Sequence, residues 1–412
     1  MTTTAGISTD RLHAWEEHLR ATYLDTGILP NALTLVYRRG EIVHQHAQGH
    51  ADVEAGRRLQ DDDIFRIYSM TKPITSLAFM MLVEDGRVAL NDPVSSVIPE
   101  WAGLGVWAGG ELGSFTTTPP GRPMRMVDLL RHTAGLSYII QQGGRVDAAY
   151  RSLGVGAIGS NTTLDLFIAA LADLPLEFSP GESWHYSAAT DVLGYVVGKI
   201  AGQPFEDFVR ERILEPLGMA DTDFYVPDGK AGRFMPCYVL TPQGRALFDA
   251  QATSPYLAPP LFVSGGGGLV STAADYLRFC RMLLRGGELD GARIVGPKTL
   301  ELMTRNHLPG GADMASMARS TIAVSEESGS GIGFGLGFAV TLDPARALRA
   351  GNAGDFYWGG AAGTYFWIDP VEDMAVIFMT QLILSPDRVR DDLRTFVYSA
   401  LTDSPTKPQT RA

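Results

Sequence analysis

Ser69-Met70-Thr71-Lys72 sets a hydroxyl and a primary amine three residues apart. On a helix, positions i and i+3 lie on one face about 5–6 Å apart at Cβ, so the Lys72 amine reaches the Ser69 hydroxyl. An amine held there out of water loses part of its preference for the charged form and can take or hold the serine proton. That is the chemistry of a nucleophilic serine.

The spacing by itself is weak. With 23 serines and five lysines in 412 residues, chance supplies about 0.3 such matches, and a second one, Ser404-Pro405-Thr406-Lys407, lies in a polar tail with no helix to perturb an amine. Context separates the two. After Lys72, the residues Ile74, Leu77, Ala78, Met81 and Leu82 follow helical spacing until Asp85-Gly86 stops the run. Pro73 is tolerated only near a helix start, which puts Ser69 at an N-terminus with its amide free to face a ligand.

Other elements must position this pair. Ser8 or Thr9 can cap a first helix carrying Leu12, Trp15, Leu19 and Tyr23. Ala32 to Tyr37 and Glu41 to Ala47 read as a hairpin turning at Arg39-Gly40. From Pro93 to Pro227 the pattern is helical and loop-rich, with helices expected at Met126–Leu130, Asn161–Leu171, Ala189–Ala201 and Phe205–Leu214. Gly265 to Gly268 reads as a tight structural turn before a helix with Tyr276, Phe279, Leu283 and Leu284 on its apolar face. Strands return at Gly337–Leu342, Gly363–Ile368 and Met374–Thr380, followed by a helix over Pro386–Leu401. Early and late strands around a helical middle predict an α/β domain built from residues 1–92 and 228–412, with a mostly helical domain, 93–227, inserted.

Composition narrows the class of function. A chain 45% hydrophobic and 19% charged is globular, and a net charge of −12 argues against nucleic-acid or anionic-membrane partners. Cys237 and Cys280 stand in no metal or redox spacing and read as buried thiols. Neither a secretory signal nor an apolar run long enough for a membrane helix is legible, so a cytoplasmic location is expected. No pattern calls for a metal or another cofactor. His44 and His46 share a strand face without an evident third ligand.

Several segments together resemble the serine β-lactamase and penicillin-recognising superfamily, and within it the family VIII carboxylesterases related to class C β-lactamases. They are Ser69 to Lys72, Tyr186-Ser187-Ala188 within Pro180–Ser187, and Trp358-Gly359-Gly360, in that order along nearly the whole chain. The resemblance implies a β-lactamase-like α/β plus α fold, an antiparallel sheet flanked by helices. It also implies a catalytic group of Ser69, Lys72 and Tyr186, with an oxyanion hole from the backbone amides of Ser69 and Ala361. Gly359 and Gly360 would let the strand approach substrate without a Cβ in the way. Trp358 stands where β-lactamases keep Lys, and Ala188 where class C enzymes have Asn. An indole at that place suits an uncharged ester better than a β-lactam carboxylate. Tyr138 and His185 are further candidates for the substrate pocket, as are Phe356, Tyr357 and Tyr365. The expected activity is hydrolysis of small or short-chain esters. A β-lactamase, a D-amino-acid peptidase or amidase, an acyltransferase, and a catalytically silent binding module stand as alternatives. His132 reads as a structural histidine, since no G-x-S-x-G elbow accompanies it. Asp191 reads chiefly as a favourable charge at a helix N-terminus.

Overall fold

The computed structural model describes residues 3–154, 156–319 and 329–405. Thr406 and Lys407 of the second S-x-x-K match lie outside the described residues. Helix α1 (Thr9–Leu19) is capped by Ser8, whose side chain accepts the Arg11 N–H, and it buries Leu12, Trp15 and Leu19. The hairpin follows as β1 (Asn31–Arg38) and β2 (Glu41–Asp52). Arg39 and Gly40 at its turn both take positive φ, 50° and 94°, the type I′ geometry whose twist matches the strands.

These strands join β3 (Arg57–Arg58) and the late strands β4 (Ile332–Phe334), β5 (Ala339–Thr341), β6 (Phe356–Gly359), β7 (Tyr365–Asp369) and β8 (Met374–Met379). The result is one antiparallel sheet in the order β4-β5-β6-β7-β8-β1-β2-β3. Its centre is buried on both faces, so β1, β6, β7 and β8 carry no exposed position and no polar alternation. On one face the Trp15 ring meets Phe378 and Phe396, and its indole N–H donates to Thr34 Oγ1 at 3.0 Å. Helix α5 (Arg388–Ser399) covers the same face, with the Arg394 guanidinium over Trp367. On the other face Tyr276 of α4 (Ala273–Leu284) packs on Phe366.

Helix α2 (Thr71–Glu84) differs from its expected one-sided pattern. Every residue from Thr71 to Leu82 is buried, Thr75, Ser76 and Lys72 included. Helix α3 (Ala189–Ala201) packs against it, and the glycine run reaches its side through Gly265 O, which accepts the Thr75 hydroxyl at 2.7 Å. The serine-lysine pair therefore begins a central helix. Residues 93–227 supply the helices Met126–Leu130, Arg145–Leu153, Leu164–Ala172, α3 and Phe205–Val209, together with a small hairpin, Val106–Gly109 with Thr116–Thr118.

Several elements are not legible in the sequence, among them two short sheet strands and a hairpin. Strands β4 and β6 are only three and four residues long and show no alternation. The hairpin Cys237–Thr241 with Gly244–Asp249, which pairs in parallel with Leu382–Ile383, has a mixed, partly exposed pattern. Cys237 and Cys280 are both buried and free. Among the described residues no helix is long and apolar enough to cross a membrane.

The strand Phe65–Arg66 pairs with Val270–Ser271 and delivers the chain to Ser69. Arg66 is fully buried there. It forms an ion pair with Asp249 at 2.6 Å, donates to Met235 O and Ser254 Oγ, and lies 4.1 Å from the Phe234 ring centroid. Removing one partner of a buried pair leaves the other charge uncompensated, at about 3–5 kcal/mol. Arg66→Ala is accordingly expected to lower denaturant-unfolding stability by about 3 kcal/mol, whereas loss of less than about 1 kcal/mol would show that the pair is not holding this segment.

Candidate active site

Ser69 occupies a single 3-10 turn, Tyr68–Met70, that runs into α2. The residue before it, Tyr68, has φ of 40°, a left-handed conformation that bulky side chains rarely adopt and that surroundings must enforce. Lys72 follows one turn later and is 1% exposed. Its Nζ donates to Ser69 Oγ at 3.3 Å and to Gly266 O at 2.7 Å. The Tyr186 hydroxyl donates to the same Ser69 Oγ at 2.7 Å. One oxygen thus accepts from both an amine and a phenol.

Tyr186 lies just before α3 and is fixed from several sides. Its carbonyl accepts the Gln141 side-chain amide at 2.7 Å, and Ala188 N–H donates to Ser137 O at 3.0 Å. The His132 ring centroid is 4.9 Å from the phenol ring, and His132 Nδ1 accepts the Ser187 N–H at 3.3 Å. Burial first, and then the nearby Lys72 charge, hold the His132 imidazole well below its ordinary value, so it serves as a neutral packing and hydrogen-bonding group. The Lys72 ammonium position is 4.6 Å from the Tyr186 ring centroid and 5.3 Å from that of Tyr138. Tyr138 in turn meets Tyr186 edge-on at 5.7 Å.

Burial lowers the Lys72 amine to about 7, with the Asp191 carboxylate pulling in the opposite direction. Near neutral pH a substantial fraction of the amine is therefore uncharged and basic. This is the electrostatic condition that the spacing in sequence called for.

Trp358 on β6 is buried and presses on Tyr186 (5.5 Å between centroids) and edge-on against Phe334 (5.3 Å). Its indole Nε1 has no hydrogen-bond partner among the described residues. Immediately after β6, Gly360 N–H donates to Thr364 O and Gly363 N–H to Gly360 O. Ala361, exposed between them, contributes no backbone donor to that turn. A Cβ on Gly360 would lie 2.4 Å from Ile67 O and 2.2 Å from Thr364 Oγ1. The glycine is required because β6 ends against the protein's own backbone, two residues before Ser69. The sequence had suggested close approach to substrate instead. Gly359 is less constrained, since the nearest atoms to a Cβ there belong to the movable Arg390 guanidinium.

Some expected pocket residues are elsewhere. Residues 357 and 358 point to opposite faces of the sheet, so with Trp358 turned to Tyr186, Tyr357 packs at a tilt against Tyr365, 5.8 Å between centroids, under Arg349. Tyr365 likewise packs on Trp367. Phe356 shares the Trp358 face but packs on Phe338 at 5.1 Å. The His185 ring turns to Phe178 and to Asp147 (3.9 Å) rather than to the Ser69 hydroxyl, and burial keeps its imidazole below the ordinary value. An extended backbone that sends Tyr186 inward sends its neighbour the other way.

Two groups, Asp191 and Gly266, hold places at the site that their sequence readings do not give. Asp191 is fully buried and accepts from Gly266 N–H at 2.9 Å and from Ser264 Oγ at 2.5 Å. Gly266 gives its carbonyl to Lys72. A signal existed in the glycine run and in an acid one turn after Tyr186, but no local pattern joins positions 75 residues apart. His44 and His46 both face Glu16, at 3.6 and 3.2 Å, yet among the described residues no group of three or more such side chains is placed to hold a metal ion.

Comparison with known proteins agrees with this architecture. The Beta-lactamase family model matches residues 16–399. Protein Rv1367c of Mycobacterium tuberculosis is 39% identical over 362 residues, covering 87% of each chain. Esterase EstB of Burkholderia gladioli is 34% identical over 370 residues, covering 85% of this chain and 86% of EstB. Among solved structures, EstCE1, described as a hydrolase with promiscuous acyltransferase activity, superposes with a TM-score of 0.79 at 27% identity, over 95% of this chain and 98% of its own. The chain belongs to the beta-lactamase family and has the fold of that family, in the branch that the three motifs resemble, the family VIII carboxylesterases.

Proposed function

We propose that this protein is a serine carboxylesterase that hydrolyses small or short-chain esters through an acyl-Ser69 intermediate. One observation carries the reading: Ser69 Oγ lies within hydrogen-bond distance of both the Tyr186 hydroxyl and a desolvated Lys72 amine. Its likeness to Esterase EstB and to EstCE1 supports ester chemistry of this class.

In this mechanism Ser69 Oγ attacks the ester carbonyl while its proton passes to the Tyr186–Lys72 pair, whose two members titrate as a unit. The tetrahedral oxyanion is received by the Ser69 and Ala361 amides, where one such donor contributes on the order of 3 kcal/mol in the transition state. Collapse expels the alcohol, which leaves with the proton returned through Tyr186. A water then repeats the sequence on the acyl-enzyme and releases the carboxylic acid. An alcohol in place of that water would give acyl transfer, the side activity named for EstCE1.

Trp358 and its aromatic neighbours would give the acyl or alcohol group an apolar wall where β-lactamases carry a lysine. Neutral esters are favoured over substrates whose recognition depends on a carboxylate.

Ser69→Ala is expected to lower kcat/KM for p-nitrophenyl butyrate by at least about 10³-fold and to abolish labelling by a fluorophosphonate probe at that residue. Full activity in the variant would overturn the assignment. Because the neutral amine is the competent form, kcat/KM should rise with pH along a limb centred near 7. Lys72→Arg, which stays charged, should remove both the limb and the turnover, and a limb that survives it would exclude Lys72 from proton transfer. Gly360→Ala should depress kcat by about 10²-fold with a smaller change in KM, read from steady-state kinetics, because the added Cβ displaces the turn carrying Ala361. Nitrocefin should be a poor substrate for the unaltered enzyme, and efficient turnover of it would favour the β-lactamase alternative.

A further inference from the structure

We propose that Asp191 is a positioning residue for Lys72, acting through Gly266 as a buried counter-charge that sets where the amine sits and how readily it carries a proton. The inference rests on the proposed role of Lys72 in proton transfer and goes beyond it by naming the group that governs that role.

The geometry is a three-part bridge. Asp191 Oδ1 accepts from the Gly266 N–H at 2.9 Å and from the Ser264 hydroxyl at 2.5 Å, while Gly266 O accepts from Lys72 Nζ at 2.7 Å. Every member is buried. Asp191 Oδ2 is buried with no hydrogen-bond partner among the described residues, so nothing in the fold neutralises it by direct pairing. Its negative charge is balanced across the Gly266 residue by the amine on the other side.

The glycine run is shaped to this contact. A Cβ on Gly266 would stand 2.7 Å from the Asp191 carboxylate, and one on Gly265 would stand 2.6 Å from Thr190 O. Any side chain at 266 would push the carbonyl away from Lys72 or the carboxylate away from the loop. Besides its own backbone amide in the first turn of α3, the Asp191 carboxylate turns to a loop 75 residues further along the chain.

Desolvation raises the Asp191 carboxyl, and Lys72 lowers it again. Reciprocally, Asp191 raises Lys72 against its own burial. The remaining groups facing the amine are Ser69 and Tyr186 as the proton partners, Tyr138 as a neutral ring, and His132, which is held neutral by burial. Asp191 is thus the anionic group opposite Lys72 among the described residues. Its isosteric neutral replacement should make the amine easier to deprotonate, and so move its titration to lower pH.

The test is a titration of the lysine side chains by NMR in the full-length protein and in Asp191→Asn, run beside pH profiles of ester turnover. Five lysines give few resonances, and Lys72→Arg assigns the one of interest. Lys72 should titrate at least about half a pH unit lower in Asp191→Asn. The limb in kcat/KM should follow it, with kcat reduced and KM nearly unchanged. An unmoved Lys72 titration overturns the inference, including when kcat falls, because a merely structural role would change rate and not proton affinity. A moved titration in a protein that fails to turn over esters would leave the inference standing and sink the proposed function instead. Should Asp191→Asn not fold, Ser264→Ala replaces it: loss of that donor makes the carboxyl easier to protonate and should shift Lys72 in the same direction by a smaller amount. No shift in that variant counts against the inference.

Discussion

Keeping a lysine amine out of water beside a serine hydroxyl is the constraint around which the rest of this molecule is arranged. An isolated ammonium in an apolar interior is unstable, so it must either find an anion or give up its proton. Here it does part of each. Among the described residues Lys72 has no carboxylate in hydrogen-bond contact; its amine donates to a peptide carbonyl and to the Ser69 oxygen, and burial brings it to about 7. A direct ion pair would have kept the amine charged and useless as a base. Full isolation would have left it neutral but poorly held. The Asp191–Gly266 bridge lies between these extremes.

That arrangement explains why α2 is buried all round rather than amphipathic. A central helix has neighbours on every side, and those neighbours bring the other groups. Helix α3 carries Asp191 and follows Tyr186. The glycine loop supplies Gly266, and the end of β6 arrives at Ile67 through Gly360. Tyr68 is forced to positive φ at the point where these meet, which is where strained backbone is expected when surroundings over-determine it. Arg66 fixes the strand that enters this junction, tying it to Asp249, Ser254 and Met235.

How much of this was visible beforehand depended on whether the information was local. The Arg39-Gly40 turn, the Ser8 cap and the bounds of α3 are local physics, and each was legible to within a residue or two. The serine-lysine pair was legible because helical spacing carries it. Strand β6 was not, since a strand buried on both faces shows no alternation and four residues are too few for any other signal. Tyr357 and His185 were placed in the pocket by proximity in sequence to Trp358 and Tyr186, although the period of two in extended chain turns adjacent side chains apart. In the sequence Asp191 reads as a helix N-terminal acid and Gly266 as part of a tight turn, because what joins them is tertiary.

The same distinction bears on substrate choice. Position 358 is one residue, yet its meaning depends on what surrounds it. The indole is packed between Tyr186 and Phe334, so replacing it with Lys would place a second amine beside the ring that already faces Lys72. Two cations across one phenol repel, and the buried one would lose its proton more readily still. A cation at that position is therefore tied to a different balance of charge around Lys72, one with more anion or more water near the amine. The apolar wall and the partly neutral lysine belong to one electrostatic solution, and the proposed neutral ester would enter it without bringing a charge that the pocket would have to answer.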